Sequence, residues 1–255
     1  MKEMTGKLIL IGCGPGAGDL LTFRAAKRIS EAHLVLYDRL IDPEVLVHTS
    51  AGADIAYVGK RAGDGGVQQA DINVRIYEAL RRGQVVARLK SGDPMVFGRA
   101  AEEIAIAKAA GAEIEIVPGV TAALAAAADA EITVTERQEI RHFVVTTGRS
   151  QDEADTPDWE SVAKPGTCIA FYMGVAQAWR IQSKLLAAGV PGHAPADWIE
   201  RAGQACARTV STRVDQIALA AAEGNVSNPA ILMVRYPLSL ASAAAASREP
   251  FRSLG

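Results

Sequence analysis

Five short stretches place glycine, proline and charged residues where an apolar run stops. They are GCGPGAGD from Gly12, YDR at Tyr37–Arg39, GKRAG at Gly59–Gly63, KSGDPMVFGR at Lys90–Arg99 and YMG at Tyr172–Gly174. Such positions read as the ends of buried strands, and open α/β sheets collect their ligands at those ends. Gly12, Gly14 and Ala17 fit G-x-G-x-x-A, a spacing that lets a backbone approach a phosphate. Two features oppose that chemistry. Pro15 removes an amide that would have to donate, and Asp38 comes later than the acidic partner such a site carries about 20 residues on. A tight turn that packs, or that admits another ligand, is the favoured reading; a nucleotide-binding oxidoreductase remains the alternative from a different class.

The KSGDP stretch has a different character. Gly92 frees the backbone and Pro94 fixes it, which makes a rigid edge of carbonyls suited to an adenosine or amino-acid ligand. An ordinary strand-to-helix turn is the alternative. Met173 either joins the core or packs on a ligand's apolar ring. Arg39, Lys60, Arg61, Lys90 and Arg99 cluster near these strand ends. They are either solvated surface charges or a surface for a substrate carrying several carboxylates. Asp38 either handles protons or forms a structural salt bridge with Arg39 or Lys60.

The elements that must hold these stretches alternate along the chain. KLILIG, HLVLYD, QVVARLK and EIEIV read as strands, with helices at LLTFRAAKRISEA, ADINVRIYEALRRG and RAAEEIAIAKAAG. An Ala-rich helix starts near Thr121. A second series follows, with strands HFVVTT, TCIAFY, APADWIE and NPAILMVRY and helices VAQAWRIQSKLLAAG and VDQIALAAAEG. The alternation of the first series predicts α/β layers with a largely parallel sheet, and the second half reads as another α/β series. RSQDEADTPDWESVAKPG reads as the longest loop, and the two halves should meet near Pro118–Val120.

Length and composition set the frame. The 255 residues suit one large or two modest domains, with 49% hydrophobic and 22% charged residues. A net charge of −2 supplies no field for nucleic acid. Cys13, Cys168 and Cys206 are scattered and odd in number, which fits neither a disulfide framework nor a zinc site and suits a reducing cytoplasm. The opening MKEMTGKLILIG has no apolar stretch long enough for a signal peptide or membrane span, which predicts a soluble protein.

LIGCGPGAGDLLT, VLYDRL, YVGKRAG, RLKSGDPMVFGRAAEE, IVPGVTAALAA and FYMG occur in an order and spacing that resemble the tetrapyrrole methylases, from Lys7 to Tyr236. The resemblance implies two α/β domains with a ligand cleft between them: 1–119 with the Gly-rich loop and substrate cleft, 120–245 completing the S-adenosyl-methionine site, and 246–255 as a tail. It implies methylation of uroporphyrinogen III at C2 and C7, giving precorrin-2 by way of precorrin-1, with S-adenosyl-homocysteine as the other product and no metal. Siroheme, cobalamin or haem d1 would lie downstream. A later precorrin methyltransferase of the same fold is the alternative. A cytoplasmic homodimer is implied, without nucleic-acid or membrane partner and without a fused dehydrogenase or ferrochelatase module.

Carried over by motif, the cofactor contacts match Pro15, Ser91, Gly92, Asp93, Val96, Thr121, Ala122, Met173 and Ala202. Proton handling matches Asp38 and Lys60, and an arginine–glutamate pair in the substrate cleft matches Arg99 and Glu102; Asp38 or Glu102 would assist proton movement while Arg99 orients substrate carboxylates. The chain departs from the pattern twice. Ser91 stands where the family usually has glycine, and Glu136 stands where it commonly has histidine.

Overall fold

The computed structural model describes residues 5–59, 69–149 and 157–241. Lys60, Arg61 and most of GKRAG lie outside the described residues, as do residues 150–156 of the long polar stretch and the 246–255 tail. The chain divides into two compact units. The first runs to Ala122 and takes in Gly203–Ala205; the second holds the remainder.

In the first unit the order is β1 (Lys7–Gly12), α1 (Phe23–Ser30), β2 (Leu34–Tyr37), β3 (Asp54–Tyr57), α2 (Gln69–Arg81), β4 (Val85–Lys90), α3 (Ala100–Ala109) and β5 (Glu113–Val117). The strands form one parallel sheet in the order β3-β2-β4-β1-β5. A parallel sheet needs cover on both faces, and the sequence supplies two apolar sets two residues apart. Leu8, Leu10, Leu34, Leu36 and Val86 pack with Ile72, Ile76 and Leu80 of α2 and with Ala100 and Ala107 of α3. Ile9, Ile11, Val35, Ala87, Leu89 and Val117 pack on the other face with Ala25 and Ile29 of α1. The Thr22 side chain starts α1 by accepting from the Ala25 amide at 3.1 Å.

Register then gathers the strand ends. Gly12 pairs with Lys90, Tyr37 with Leu89 and Ile11 with Val117. Cys13, Asp38, Ser91 and Pro118 therefore leave the sheet along one edge. The chain order reverses about β1, the place where open α/β sheets take ligands.

The second unit contains α4 (Ala122–Asp129, entered from the first unit), β6 (His142–Thr147), α5 (Trp159–Val162), β7 (Thr167–Tyr172), α6 (Ala178–Ala187), β8 (Pro195–Glu200), β9 (Arg208–Arg213), α7 (Ile217–Glu223) and β10 (Ala230–Tyr236). Its sheet runs β6-β7-β10-β8-β9. Only β6 and β7 are parallel; β10 runs against β7 and β8, and β8 against β9. The parallel arrangement expected from the first series holds in the first sheet, whereas this second sheet is mixed. The connection between β8 and β9 is too short for a helical crossover, so the chain turns back on itself. Trp159, Phe171, Ile181, Leu185, Trp198 and Leu232 form the core, with Trp159 edge-on to Phe171 at 5.7 Å. The long polar stretch also contains α5, whose buried residue is Trp159.

Glu200 ends β8 inside this unit. Its carboxylate accepts from the Ser227 amide at 2.7 Å, the Ser227 hydroxyl at 2.9 Å and Arg208 Nε at 2.5 Å. Burial alone would raise this carboxyl, but the Ser227 donors and Arg208 outweigh it and hold it below its ordinary value. A carboxyl lowered by folding stabilises above its unfolded pKa and loses that contribution as pH falls through the folded one. Glu200→Gln should cost about 1.5–3 kcal/mol near neutrality. In urea denaturation the deficit should narrow as pH falls below about 4.3; a pH-independent deficit would contradict the assignment.

Candidate active site

Alternation along β4 puts Val86, Arg88 and Lys90 on the face covered by α2 and α3. Two cations on such a strand require partners, because a strand covered on both faces is otherwise apolar. The buried stripe of α3 answers with Ala100, Glu103 and Ala107. Glu103 Oε1 accepts from Arg88 Nε at 3.0 Å, and Lys90 Nζ lies 2.8 Å from Oε2. Arg88 Nη2 reaches Asp38 Oδ2 at 2.7 Å, and Nη1 donates to the Leu89 carbonyl at 2.9 Å. Asp38, Arg88, Glu103 and Lys90 thus form a group of four with no net charge. Burial, then repulsion from Arg88, lowers the Lys90 ammonium, and Glu103 draws it partly back.

The two ends of this group meet different candidate residues. Asp38 is its half-exposed member, following β2 at the strand-end edge. At the other end Lys90 Nζ donates to the Gly98 carbonyl at 2.5 Å, fixing the loop that delivers Arg99. Phe97 and Arg99 both hold left-handed φ values, 53° and 54°, a conformation uncommon outside glycine, asparagine and aspartate. Arg99 then grips Glu102 through two hydrogen bonds, Nε to Oε1 at 2.7 Å and Nη2 to Oε2 at 2.8 Å. These side chains stay 59% and 43% exposed. The Arg99–Glu102 pair therefore exists and faces solvent. Lys90 corrects the sequence reading: it is buried against Glu103 and is no surface cation for substrate carboxylates. Asp38 finds its partner in Arg88, a residue the sequence reading had not weighed.

The glycine loop lies along the same edge, and its amides serve the protein. Cys13 N–H donates to the Lys90 carbonyl at 2.9 Å, and Gly14 and Gly92 exchange hydrogen bonds at 3.3 and 2.7 Å. Ala17 N–H donates to the Gly203 carbonyl at 2.9 Å. A Cβ on Gly12 would sit 2.5 Å from the Gly119 amide nitrogen, and one on Gly16 would sit 2.2 Å from Gln204 Cγ. The glycines permit backbone to pack on backbone, so the pyrophosphate cradle loses its donors. Burial pushes the Cys13 thiol up to about 12, which makes it an inert part of this packing.

The SGDP turn is held from behind. Asp93 accepts from the Met95 amide at 2.8 Å and the Gly119 amide at 3.1 Å. Gly92, at φ 71°, faces the backbone of Val120–Ala122 across a gap that a Cβ would begin to fill, with neighbours at 3.6–3.9 Å. Pro15 is buried, while Ser91, Val96, Thr121 and Ala122 are half-buried. The structure thus brings Pro15, Ser91–Asp93, Thr121 and Ala122 to one region of the first unit. Met173 and Ala202 belong to the second. Met173 follows β7 with a φ of 54° and is 42% exposed, whereas Ala202 is buried. Tyr172 Oη, one residue earlier, accepts from the Ala123 amide near the start of α4 at 2.8 Å. Glu136 is exposed in a turn bridged to Ile140.

Sequence reasoning missed Arg88 and Glu103 as members of the site. Both carried a signal: VVARLK places two cations on the face that Val86 occupies in a buried strand, and Glu103 falls on the stripe of Ala100 and Ala107 that faces them.

With this geometry in place, residues 7–218 match the model of the tetrapyrrole (corrin/porphyrin) methylases, and the chain belongs to that family. It is 36% identical over 230 residues to a uroporphyrinogen-III C-methyltransferase from Bacillus subtilis, covering 90% of each chain. It is also 36% identical over 240 residues to a siroheme synthase from Aeromonas hydrophila, covering 94% of this chain and 51% of that protein. Among the curated relatives it matches, the siroheme synthases are about twice its length. The crystal structure of a Thermus thermophilus uroporphyrin-III C-methyltransferase complexed with S-adenyl homocysteine superposes with a TM-score of 0.74 at 33% identity, covering 90% of this chain and 92% of that one.

Removing one member of a buried ionic group leaves the other uncompensated. Lys90→Met should therefore destabilise the chain by about 3–5 kcal/mol, measured by urea denaturation. A loss below about 1 kcal/mol, the level of a surface pair, would mean that Lys90 is not held as described.

Proposed function

We propose that this chain transfers methyl groups from S-adenosyl-methionine to uroporphyrinogen III, at C2 and then C7, giving precorrin-2 by way of precorrin-1. The observation that carries the reading is the placement of Asp38 and the Arg99–Glu102 pair at the two ends of one buried charge group. Homologues named as uroporphyrinogen-III and uroporphyrin-III C-methyltransferases support the reaction class.

The residues on the strand-end edge fit the methyl donor. Gly92 keeps a side chain out of the gap facing Val120–Ala122, and the turn around it is pinned by Asp93. Pro15, Ser91, Gly92, Asp93, Val96, Thr121 and Ala122 of the first unit would hold the donor; Met173 and Ala202 match the family's cofactor contacts by motif. When bound, the donor supplies a sulfonium methyl that a pyrrole carbon can attack in line without a metal. Arg99, steadied by Glu102, pairs with the macrocycle's carboxylates. Its guanidinium is effectively always protonated, so it acts as an electrostatic partner and not as a base. Asp38 accepts the proton released from the methylated ring carbon, with Lys60 as the second proton-handling group. Holding the reactants in line can contribute about 7–11 kcal/mol to the rate. A cytoplasmic homodimer feeding siroheme, cobalamin or haem d1 synthesis, without nucleic-acid or membrane partners, completes the proposal.

Incubation with uroporphyrinogen III and methyl-labelled S-adenosyl-methionine should give doubly labelled precorrin-2. No labelled tetrapyrrole from intact substrate would overturn the reading. Arg99→Lys keeps the charge but loses the planar two-point grip, and should lower turnover at saturating substrate by about tenfold. Unchanged turnover would remove Arg99 from the mechanism.

A further inference from the structure

We propose that Arg88 is a positioning residue for methyl transfer, holding the Asp38 carboxylate against the ring proton it accepts and referencing it, through Glu103 and Lys90, to the loop that carries Arg99. This rests on the proposed role of Asp38 and goes beyond it.

All three guanidinium nitrogens of Arg88 are engaged, and each bond fixes a different direction. Nε is on Glu103, Nη1 on the Leu89 carbonyl, and Nη2 on Asp38. Arg88 is 2% exposed, so no solvent competes for these bonds and the planar fork has little freedom to turn. A lysine here could keep the charge but could not span the same acceptors. Glu103, without exposed surface, is shared by Arg88 and Lys90. Lys90 carries the connection to the Gly98 carbonyl, immediately before Arg99. The base and the carboxylate-binding arginine are thus set from one buried centre, although Asp38 and Arg99 follow different strands.

The test is a kinetic cycle on the full chain, with Arg88→Lys, Asp38→Asn and the two combined, assayed for methylation of uroporphyrinogen III. S-adenosyl-homocysteine binding and melting temperature serve as fold controls. Arg88→Lys should lower kcat by about a hundredfold, the cost of a displacement near 1 Å in a reacting group, with S-adenosyl-homocysteine affinity within about twofold of wild type. In the Asp38→Asn background the same change should cost less than about twofold more, because residues that act as a unit are not additive. The triple variant Arg88→Met/Lys90→Met/Glu103→Leu leaves no member of the buried group without its partner, and should show at least the same loss of turnover while still binding S-adenosyl-homocysteine. A full second loss of activity on top of Asp38→Asn would overturn the positioning role while leaving Asp38 as the base. Wild-type turnover in Asp38→Asn, or none in the wild type, would overturn the reading of the site and this inference with it. Loss of S-adenosyl-homocysteine binding in both Arg88 variants would also overturn it.

Discussion

The Glu103 carboxylate sits without exposed surface between two cations that β4 turns toward it. Removing a charge from water costs several kcal/mol even after relaxation, so neither Arg88, Lys90 nor Glu103 could occupy this place alone. Once together, they constrain one another. Arg88 must reach outward to Asp38 for its last acceptor, and Lys90 must reach the Gly98 carbonyl. Apolar residues of similar volume could often match or exceed such a group in stability. What they could not do is fix a carboxylate and an arginine-bearing loop by direction as well as by volume. The buried group is better explained by geometry than by stability.

A second constraint is the close approach of backbones beside it. Gly12 lies against Gly119, and Gly14 exchanges hydrogen bonds with Gly92. The loops after β1, β4 and β5 are therefore locked edge to edge, with no room for a side chain where Gly12 meets Gly119. This explains why the opening glycines imitate a phosphate-binding turn. They meet the same demand for bare backbone, but the visitor is another loop of the same chain.

Much of the fold is legible in the residues, and the gaps have physical causes. Apolar runs mark β1, β2, β4 and β7 because burial on both faces leaves no other pattern. The strands that escape, DIAY of β3 and RTVSTR of β9, are sheet edges where burial imposes little. Strand direction in the second sheet is invisible to composition, since a hairpin and a crossover differ in connection and not in strand residues. At the site, contiguous motifs such as SGDP and the Arg99–Glu102 spacing are readable. The partnership of Arg88 with Asp38 is not, because it spans 50 residues. Lys90 is misread for a simpler reason: its place at a strand end suggests solvent, whereas its parity with Val86 points into the α3 face.

The placement of Asp38 and Arg99 about one substrate is the centre of this account. A crystal structure of the chain with S-adenosyl-homocysteine and uroporphyrin III tests it most directly. In that complex the Asp38 carboxylate should face a pyrrole ring while still bound to Arg88, the Arg99 guanidinium should sit on a peripheral carboxylate, and S-adenosyl-homocysteine should lie against the Ser91–Asp93 backbone. A macrocycle bound away from both Asp38 and Arg99, or an Asp38 released from Arg88 when substrate binds, would contradict it.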